Sequence, residues 1–341
     1  MKQKRISDFG VRIGVLPTGK LNKITDVPGV TVGHCTVRDE KHNTGVTVIM
    51  PSEDNIFLNK MTASVYVHNG FGKTAGTLQI EELGTLETPI ALTNTLNVGK
   101  VSDAVVEYTI CRCKEEGTDV VSVNSVVGEC NDCRTNDIAD RAVSKEHVFS
   151  AIGSACADFE EGGVGAGAGT KCYGLKGGIG SASRIVSLGG KDYTVGVIVQ
   201  SNYGKHEDLR IDGKKISEDD HSSRMGECDV GSIMVILACD VPLTSRQLKR
   251  VIKRCSVGIA RCGSYIGHGS GEVFIGFSTS NRFSSSDDDI VSISCVKESK
   301  LDILFRAAGE ATEEAILNSM VCAEELHAFN GTLLKSLKDI L

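Results

Sequence analysis

Short β-branched runs punctuated by turn residues dominate the first half of the chain. Ile24-Thr25-Asp26-Val27-Pro28-Gly29-Val30-Thr31-Val32 sets a Pro-Gly turn among strand-forming residues. Residues 45–50, 64–67 and 89–93 read as strands, with a helix predicted over 74–84. Helical spacing returns over 104–116 and 145–159, and 193–200 is a further strand. A polar, charged stretch follows over 201–230, including Glu218-Asp219-Asp220-His221, and is expected to be exposed and mobile.

The pattern then changes sharply. Gly231-Ser232 leads into Ile233-Met234-Val235-Ile236-Leu237-Ala238, an unbroken apolar run that predicts a strand buried on both faces. Thr244 and Gln247 form a capping-box pattern, and one helix is predicted beyond it. Its buried face would carry Leu248, Val251, Ile252, Cys255, Ile259 and Cys262. A strand over 272–278 and a long helix over 302–326 complete the reading. Strand groups alternating with long helices predict an α+β fold of helices layered over sheets.

A chain of 341 residues can bury a substantial core as one large or two ordinary domains. Thirty-seven basic and 44 acidic residues give a net charge of −7 without a concentrated basic footprint, which argues against nucleic acid as a partner. No apolar run approaches the roughly 18 residues of a membrane span. Residues 1–10 lack an apolar signal core, so no membrane association and a cytoplasmic location are expected. The 13 cysteines are then free thiols, with Cys156, Cys239, Cys255, Cys295 and Cys322 read as small hydrophobes within apolar stretches. Cys111, Cys113, Cys130 and Cys133 could in principle offer zinc four thiolates, but residues two apart on a helix face different ways.

Several segments carry candidate chemistry. A flexible Gly231 before the Ser232 hydroxyl is a place where the chain could attack itself. Addition of Oγ to the Gly231 carbonyl, an N→O acyl shift and hydrolysis would leave Ser232 as an N-terminus carrying both nucleophile and amine base. An ordinary polar residue at a strand entrance would look the same. The Gly162–Lys171 run lacks the GxxxxGK[ST] order of a phosphate loop and the helix that a dinucleotide fingerprint needs, so tight turns are expected. In Gly267-His268-Gly269-Ser270-Gly271-Glu272, Ser270 and Glu272 fall on one side of an extended chain, whereas His268 reads as a turn residue. Asn202, ending the 193–200 strand, could donate to an oxyanion or simply occupy a turn.

Together these segments resemble the self-processing DmpA-type (P1-family) aminopeptidases, which include L-aminopeptidase/D-esterases and β-peptidyl aminopeptidases. The resemblance runs through Ile24–His34, Asn69–Lys73, Glu82–Ile90, Leu92–Leu96, Lys176–Gly180, Val199–Gly204, Gly231–Ser232, Gly269–Glu272 and Ala311–Ile316. It implies one αββα sandwich over 1–341, akin to that of the ornithine acetyltransferases and of the N-terminal-nucleophile type. Cleavage after Gly231 would yield chains 1–231 and 232–341, assembled as a homotetramer. It also implies Ser232 as nucleophile, Ser270 and Glu272 as its support, Asn202 as oxyanion donor and Glu129 as the ligand of the substrate's free ammonium. Asn131 stands in the substrate pocket where the family pattern has a tyrosine. The implied substrate is a small peptide, amide or ester with a free amino group, and no cofactor or metal is expected. An acyltransferase of the ornithine acetyltransferase type is the alternative enzyme, although those use threonine as the new N-terminus. An unprocessed binding protein is the non-enzymatic alternative.

Overall fold

Side-chain alternation along the strands sorts the apolar residues into three cores, and those cores define four layers. The structure, a computed structural model, describes residues 3–216, 230–285 and 289–341. Six strands come first: β1 (Thr31–Arg38), β2 (Asn43–Met50), β3 (Asn59–Gly70), β4 (Thr85–Leu86), β5 (Ile90–Asn94) and β6 (Val126–Cys130). Between them lie α1 (Thr77–Leu83) and α2 (Val98–Glu115), and α3 (Lys145–Gly153) follows. A short hairpin, β7 (Lys171–Cys172) and β8 (Leu175–Lys176), precedes the long strands β9 (Gly178–Leu188) and β10 (Lys191–Asn202). A second small hairpin, β11 (Arg210–Ile211) and β12 (Lys214–Lys215), leads towards β13 (Val230–Cys239). Helices α4 (Ser245–Ile252) and α5 (Cys255–Arg261), strand β14 (Gly269–Ser284) and helix α6 (Asp302–Val321) complete the main elements.

One sheet has the order β1-β2-β5-β6 and the other β4-β3-β14-β13-β10-β9. Val46, Val48, Ala91 and Val127 turn outward against Val101, Ala104 and Val105 of α2 and Val148 and Ala151 of α3. Val32, Ile49, Ile90 and Leu92 turn inward to meet Ile198, Met234, Ile236, Ala238 and Ile275 of the other sheet. The far face of that second sheet places Val197, Val199, Ile233, Val235, Leu237 and Phe274 against Leu248, Ile259, Leu304 and Ala311. The architecture is therefore an αββα sandwich. Strand β13 lies at its centre, apolar on both faces as its unbroken run predicts; each fully buried side chain of this kind contributes about 1.5–3 kcal/mol.

Some expected boundaries shift. The capping box forms, with Thr244 Oγ1 accepting from the Gln247 N–H and Gln247 Oε1 from the Thr244 N–H, both at 3.2 Å. The predicted single helix nevertheless divides into α4 and α5. The break falls at Lys253 and Arg254, and Gly258 of α5 approaches the α6 backbone so closely that a Cβ would lie 2.6 Å from the Glu313 nitrogen. Helix α3 ends at Gly153 and α6 at Val321, each short of its expected end. The segment expected to be exposed begins buried instead: β10 extends through Asn202, and Tyr203, Leu209 and Ile211 enter the helix-side core. The remainder of that stretch, 217–229, lies outside the described residues. Cys156 and Cys295 are exposed in loops, whereas Cys239, Cys255 and Cys322 are buried. Among the described residues no helix is long and apolar enough to cross a membrane.

Candidate active site

Strand β13 carries Ser232 to the mouth of the central sheet. Its Oγ is buried yet meets no hydrogen-bond partner among the described residues. The Cys130 thiol lies beside it, and a buried hydroxyl without an ordinary hydrogen bond is compatible with a catalytic role. By alternation Ser232 shares the face of Met234, Ile236 and Ala238, the one turned towards the other sheet. The residue before it is confined to glycine by contact alone. A Cβ on Gly231 would lie 2.3 Å from the Asn202 carbonyl oxygen.

Asn202 of β10 is the register partner of Ser232 across an antiparallel pair. Facing residues in such a pair project to the same side, so the Asn202 amide shares the Ser232 face. Its Oδ1 accepts from the Lys171 N–H at 3.0 Å, which leaves the NH2 end as the group to donate elsewhere. The strand end is anchored two residues earlier. Gln200 Nε2 donates to the carbonyls of Thr93 (3.1 Å) and Ala166 (2.8 Å), tying β10 to the opposite sheet.

Ser270 and Glu272 reach the junction from the other side. Strand β14 runs parallel to β13 with Gly231 opposite Ser270, Ser232 opposite Gly271 and Ile233 opposite Glu272. Ser270 Oγ donates to Glu272 Oε1, and both residues are fully buried. The alternation that puts Ile233 and Phe274 in the helix-side core puts this dyad there too. The dyad therefore flanks the Gly231–Ser232 peptide from the face opposite Ser232 Oγ.

Gly271 opens the Ser232 face to the loop after β3. A Cβ there would lie 2.7 Å from the Phe71 carbonyl oxygen. The same loop supplies a donor to Glu129, whose Oε1 accepts from the Lys73 N–H at 2.9 Å while Oε2 accepts from Thr95 Oγ1. Glu129 is 4 % exposed, and both its partners are neutral groups. Its neighbour Cys130 links the two sheets: Sγ donates to the carbonyls of Gln200 (3.4 Å) and Ser232 (3.5 Å). Burial pushes the Cys130 thiol well above its ordinary pKa, which keeps it a protonated donor. Asn131 is exposed beside this edge, its Oδ1 accepting from the Cys133 N–H at 3.0 Å.

The remaining candidates take structural roles. The glycine run forms tight turns, with Gly162 and Gly165 at positive φ and a short 3-10 turn over Gly165–Gly167. His268 packs its ring 6.4 Å from that of Phe71. The four cysteines considered for zinc are used separately: Cys113 accepts from Asn55 Nδ2, Cys130 joins the sheets, and Cys111 and Cys133 are exposed. Among the described residues no group of three or more His, Cys, Asp and Glu is placed to hold a metal ion. Sequence reasoning missed Lys73, Thr95, Cys130 and Lys171. Two of these act through backbone N–H groups, which no residue type announces. Thr95 and Cys130 meet their partners only through contacts between distant segments.

With this geometry in view, comparison with known proteins is informative. The family model described as peptidase family S58 matches residues 22–334. The β-peptidyl aminopeptidase BapA of Sphingosinicella microcystinivorans is 36 % identical over 363 residues, covering 98 % of this chain and 89 % of that protein. A solved protein of Pyrococcus horikoshii OT3 superposes with a TM-score of 0.92 at 44 % identity, covering 98 % of this chain and 96 % of the other. The L-aminopeptidase D-Ala-esterase/amidase of Ochrobactrum anthropi superposes with a TM-score of 0.90 at 33 % identity, covering 98 % and 95 %. That enzyme is described as a prototype of the serine aminopeptidases and a new variant among the Ntn hydrolase fold.

Proposed function

We propose a self-processing route to activity for this chain, which belongs to peptidase family S58 and is a serine aminopeptidase/amidase of the N-terminal-nucleophile type. The observation that carries the proposal is the orphan Ser232 Oγ, placed at the mouth of a rigid strand behind a glycine that cannot be replaced. Oγ adds to the Gly231 carbonyl carbon, and the Gly231–Ser232 C–N bond breaks as the nitrogen takes up a proton. Water then hydrolyses the resulting ester, leaving a carboxylate on Gly231 and a free amine and hydroxyl on Ser232.

The same atoms then serve the substrate. The freed α-amine, with a reference pKa of about 7.7–8.0, takes the Oγ proton as the hydroxyl attacks the substrate carbonyl. Collapse of that intermediate passes the proton to the leaving group and leaves an acyl-enzyme, which water hydrolyses by the reverse transfer. Asn202 donates to the oxyanion from the Ser232 face. Ser270 and Glu272, on the opposite face, hold the amine rather than the hydroxyl. Glu129 receives the ammonium of the substrate, and the loop between Phe71 and Lys73 joins its pocket to the nucleophile.

The substrate class is a peptide, amide or ester with a free amino terminus. β-Aminoacyl and D-aminoacyl groups are the first to examine, given what the similar proteins are named for. Asn131 replaces a rigid ring by a small amide at the pocket edge and widens it. We further place the enzyme in the cytoplasm as a homotetramer of cut chains; free thiols at every described cysteine support a reducing compartment.

Two samples on a denaturing gel test the route. Wild type should run as two bands and Ser232→Ala as one band at 36.2 kDa, without turnover. An uncut wild type that hydrolyses aminoacyl p-nitroanilides would overturn the scheme.

A further inference from the structure

Lys176 is 1 % exposed, and no carboxylate lies within ion-pair distance of it among the described residues. Burying an unpaired ammonium is costly, and the usual compensation is hydrogen bonding. Here Nζ turns to backbone, donating to the carbonyls of Gly167 (2.8 Å), Thr170 (3.1 Å) and Gly177 (2.7 Å), while burial pushes its pKa down to about 7. The Thr170 oxygen is gripped a second time by the Gly177 N–H at 3.0 Å.

The Thr170 carbonyl and the Lys171 N–H belong to one planar peptide unit, so fixing the oxygen aims the N–H the opposite way. That N–H donates to Asn202 Oδ1. An Asn side chain can rotate to exchange its oxygen and nitrogen, and only one orientation offers a donor to an oxyanion. The other would present a second oxygen and repel it.

We infer that Lys176 is a positioning residue: by holding the Thr170–Lys171 peptide it fixes the orientation of the Asn202 amide. The inference rests on the oxyanion role proposed above for Asn202. Lys176 touches neither substrate nor nucleophile, and its influence on the reaction passes through one peptide plane and one side-chain amide. Gly167 and Gly177 serve the same end. Each lies so close to neighbouring backbone that a Cβ would come within 2.5 Å of it, at the Ile179 nitrogen and the Ser201 oxygen respectively.

A double-mutant cycle tests this, with kcat and KM determined per cut chain and self-cleavage rates followed in parallel. Lys176→Met should lower kcat about 10- to 100-fold with KM little changed, below the loss of about 10²–10³ that removes an oxyanion donor outright. Added to Asn202→Ala, the same change should cost less than about threefold, because the amide it orients is gone. Lys176→Gln, which keeps two donors, should recover part of the rate, and it takes the place of Lys176→Met in the cycle if that variant does not fold. Equal losses in both backgrounds, or a rise in KM at unchanged kcat, would overturn the inference while leaving the oxyanion role intact. Full kcat in Asn202→Ala alone would instead remove the oxyanion role, and the inference with it.

Discussion

Two buried groups of carboxylates meet the same physical problem in different ways. Under helix α6, Glu310 and Glu314 are both buried, and Arg184 of β9 stands 3.2 Å from one and 2.8 Å from the other. At the site edge, Glu129 is equally buried but holds only the Lys73 N–H and the Thr95 hydroxyl, with no cation of the protein among its described partners. A carboxylate taken out of water needs a counter-charge or must give up its own. The first group brings its cation along in the fold. The second finds none among its described partners, which is the condition the proposed role of Glu129, binding the substrate ammonium, requires. The contrast sets a charge cluster paired within the fold against the buried charge proposed to bind substrate.

Breaking the first group should give the largest effect. Arg184→Met removes the buried cation shared by the two carboxylates. It leaves Glu310 the more exposed Arg306 and the Val15 and Leu16 N–H groups, and Glu314 the Asn22 amide. The change should cost about 3–5 kcal/mol in chemical denaturation, while the molecules that remain folded keep their kcat. A loss below about 1 kcal/mol would mean that the remaining partners, Arg306, Asn22 and the Val15 and Leu16 N–H groups, suffice without Arg184.

A third buried carboxylate sharpens the contrast. Asp132 is held by neutral side chains, among them Asn94 and Asn136, and burial pushes its pKa up to about 6. Below about pH 6 it meets the problem by taking a proton. Because the folded state binds that proton more tightly than the unfolded chain, its contribution is complete below about pH 4 and is lost as pH rises through 6. Asp132→Asn should flatten the slope of stability against pH between those values, a change of about 2–3 kcal/mol across the window. An unchanged slope would assign the titration to another group.

Glu129 should show the reverse signature, and a smaller one. Glu129→Gln should leave stability within about 1 kcal/mol of wild type, since no internal ion pair is lost. Its kcat/KM for substrates with a free amine should fall about tenfold or more, the worth of one charge-assisted contact of about 1.5–3 kcal/mol. N-acetylating the substrate should lower the wild-type rate comparably and the variant's rate much less. Equal turnover of free and acetylated substrates by wild type would place the ammonium elsewhere.

How far these features could be read in the sequence follows from their physics. The apolar run after Ser232 and the capping box at Thr244 obey local rules, and both appear in the structure. The Ser270–Glu272 dyad was legible from its spacing of two in an extended chain. Which face of the sheet it takes was not, because that depends on the parallel register with β13. Glu129 and Asn131 entered only through the family resemblance, since nothing in Val127-Gly128-Glu129-Cys130-Asn131 distinguishes a pocket carboxylate from a strand-end one. The burial of Tyr203 likewise comes from packing between distant segments, through the Tyr173 ring 5.1 Å away, and the break between α4 and α5 has no signal in the local pattern. Lys176 is the extreme case. A lysine in a glycine-rich stretch suggests an exposed loop, and only the fold closes three carbonyls around it.

The central claim is that Ser232, freed as an N-terminus, is the atom donor that carries the acyl group. Intact-mass spectrometry of enzyme quenched during turnover of a slowly hydrolysed aminoacyl ester tests it most directly. Dividing 36.2 kDa in proportion to length, we predict chains of about 24.5 and 11.7 kDa, with the acyl mass on the lighter one and its N-terminal residue Ser232. An active enzyme that remains a single 36.2 kDa chain, or an acyl group found on the heavier fragment, would contradict the account.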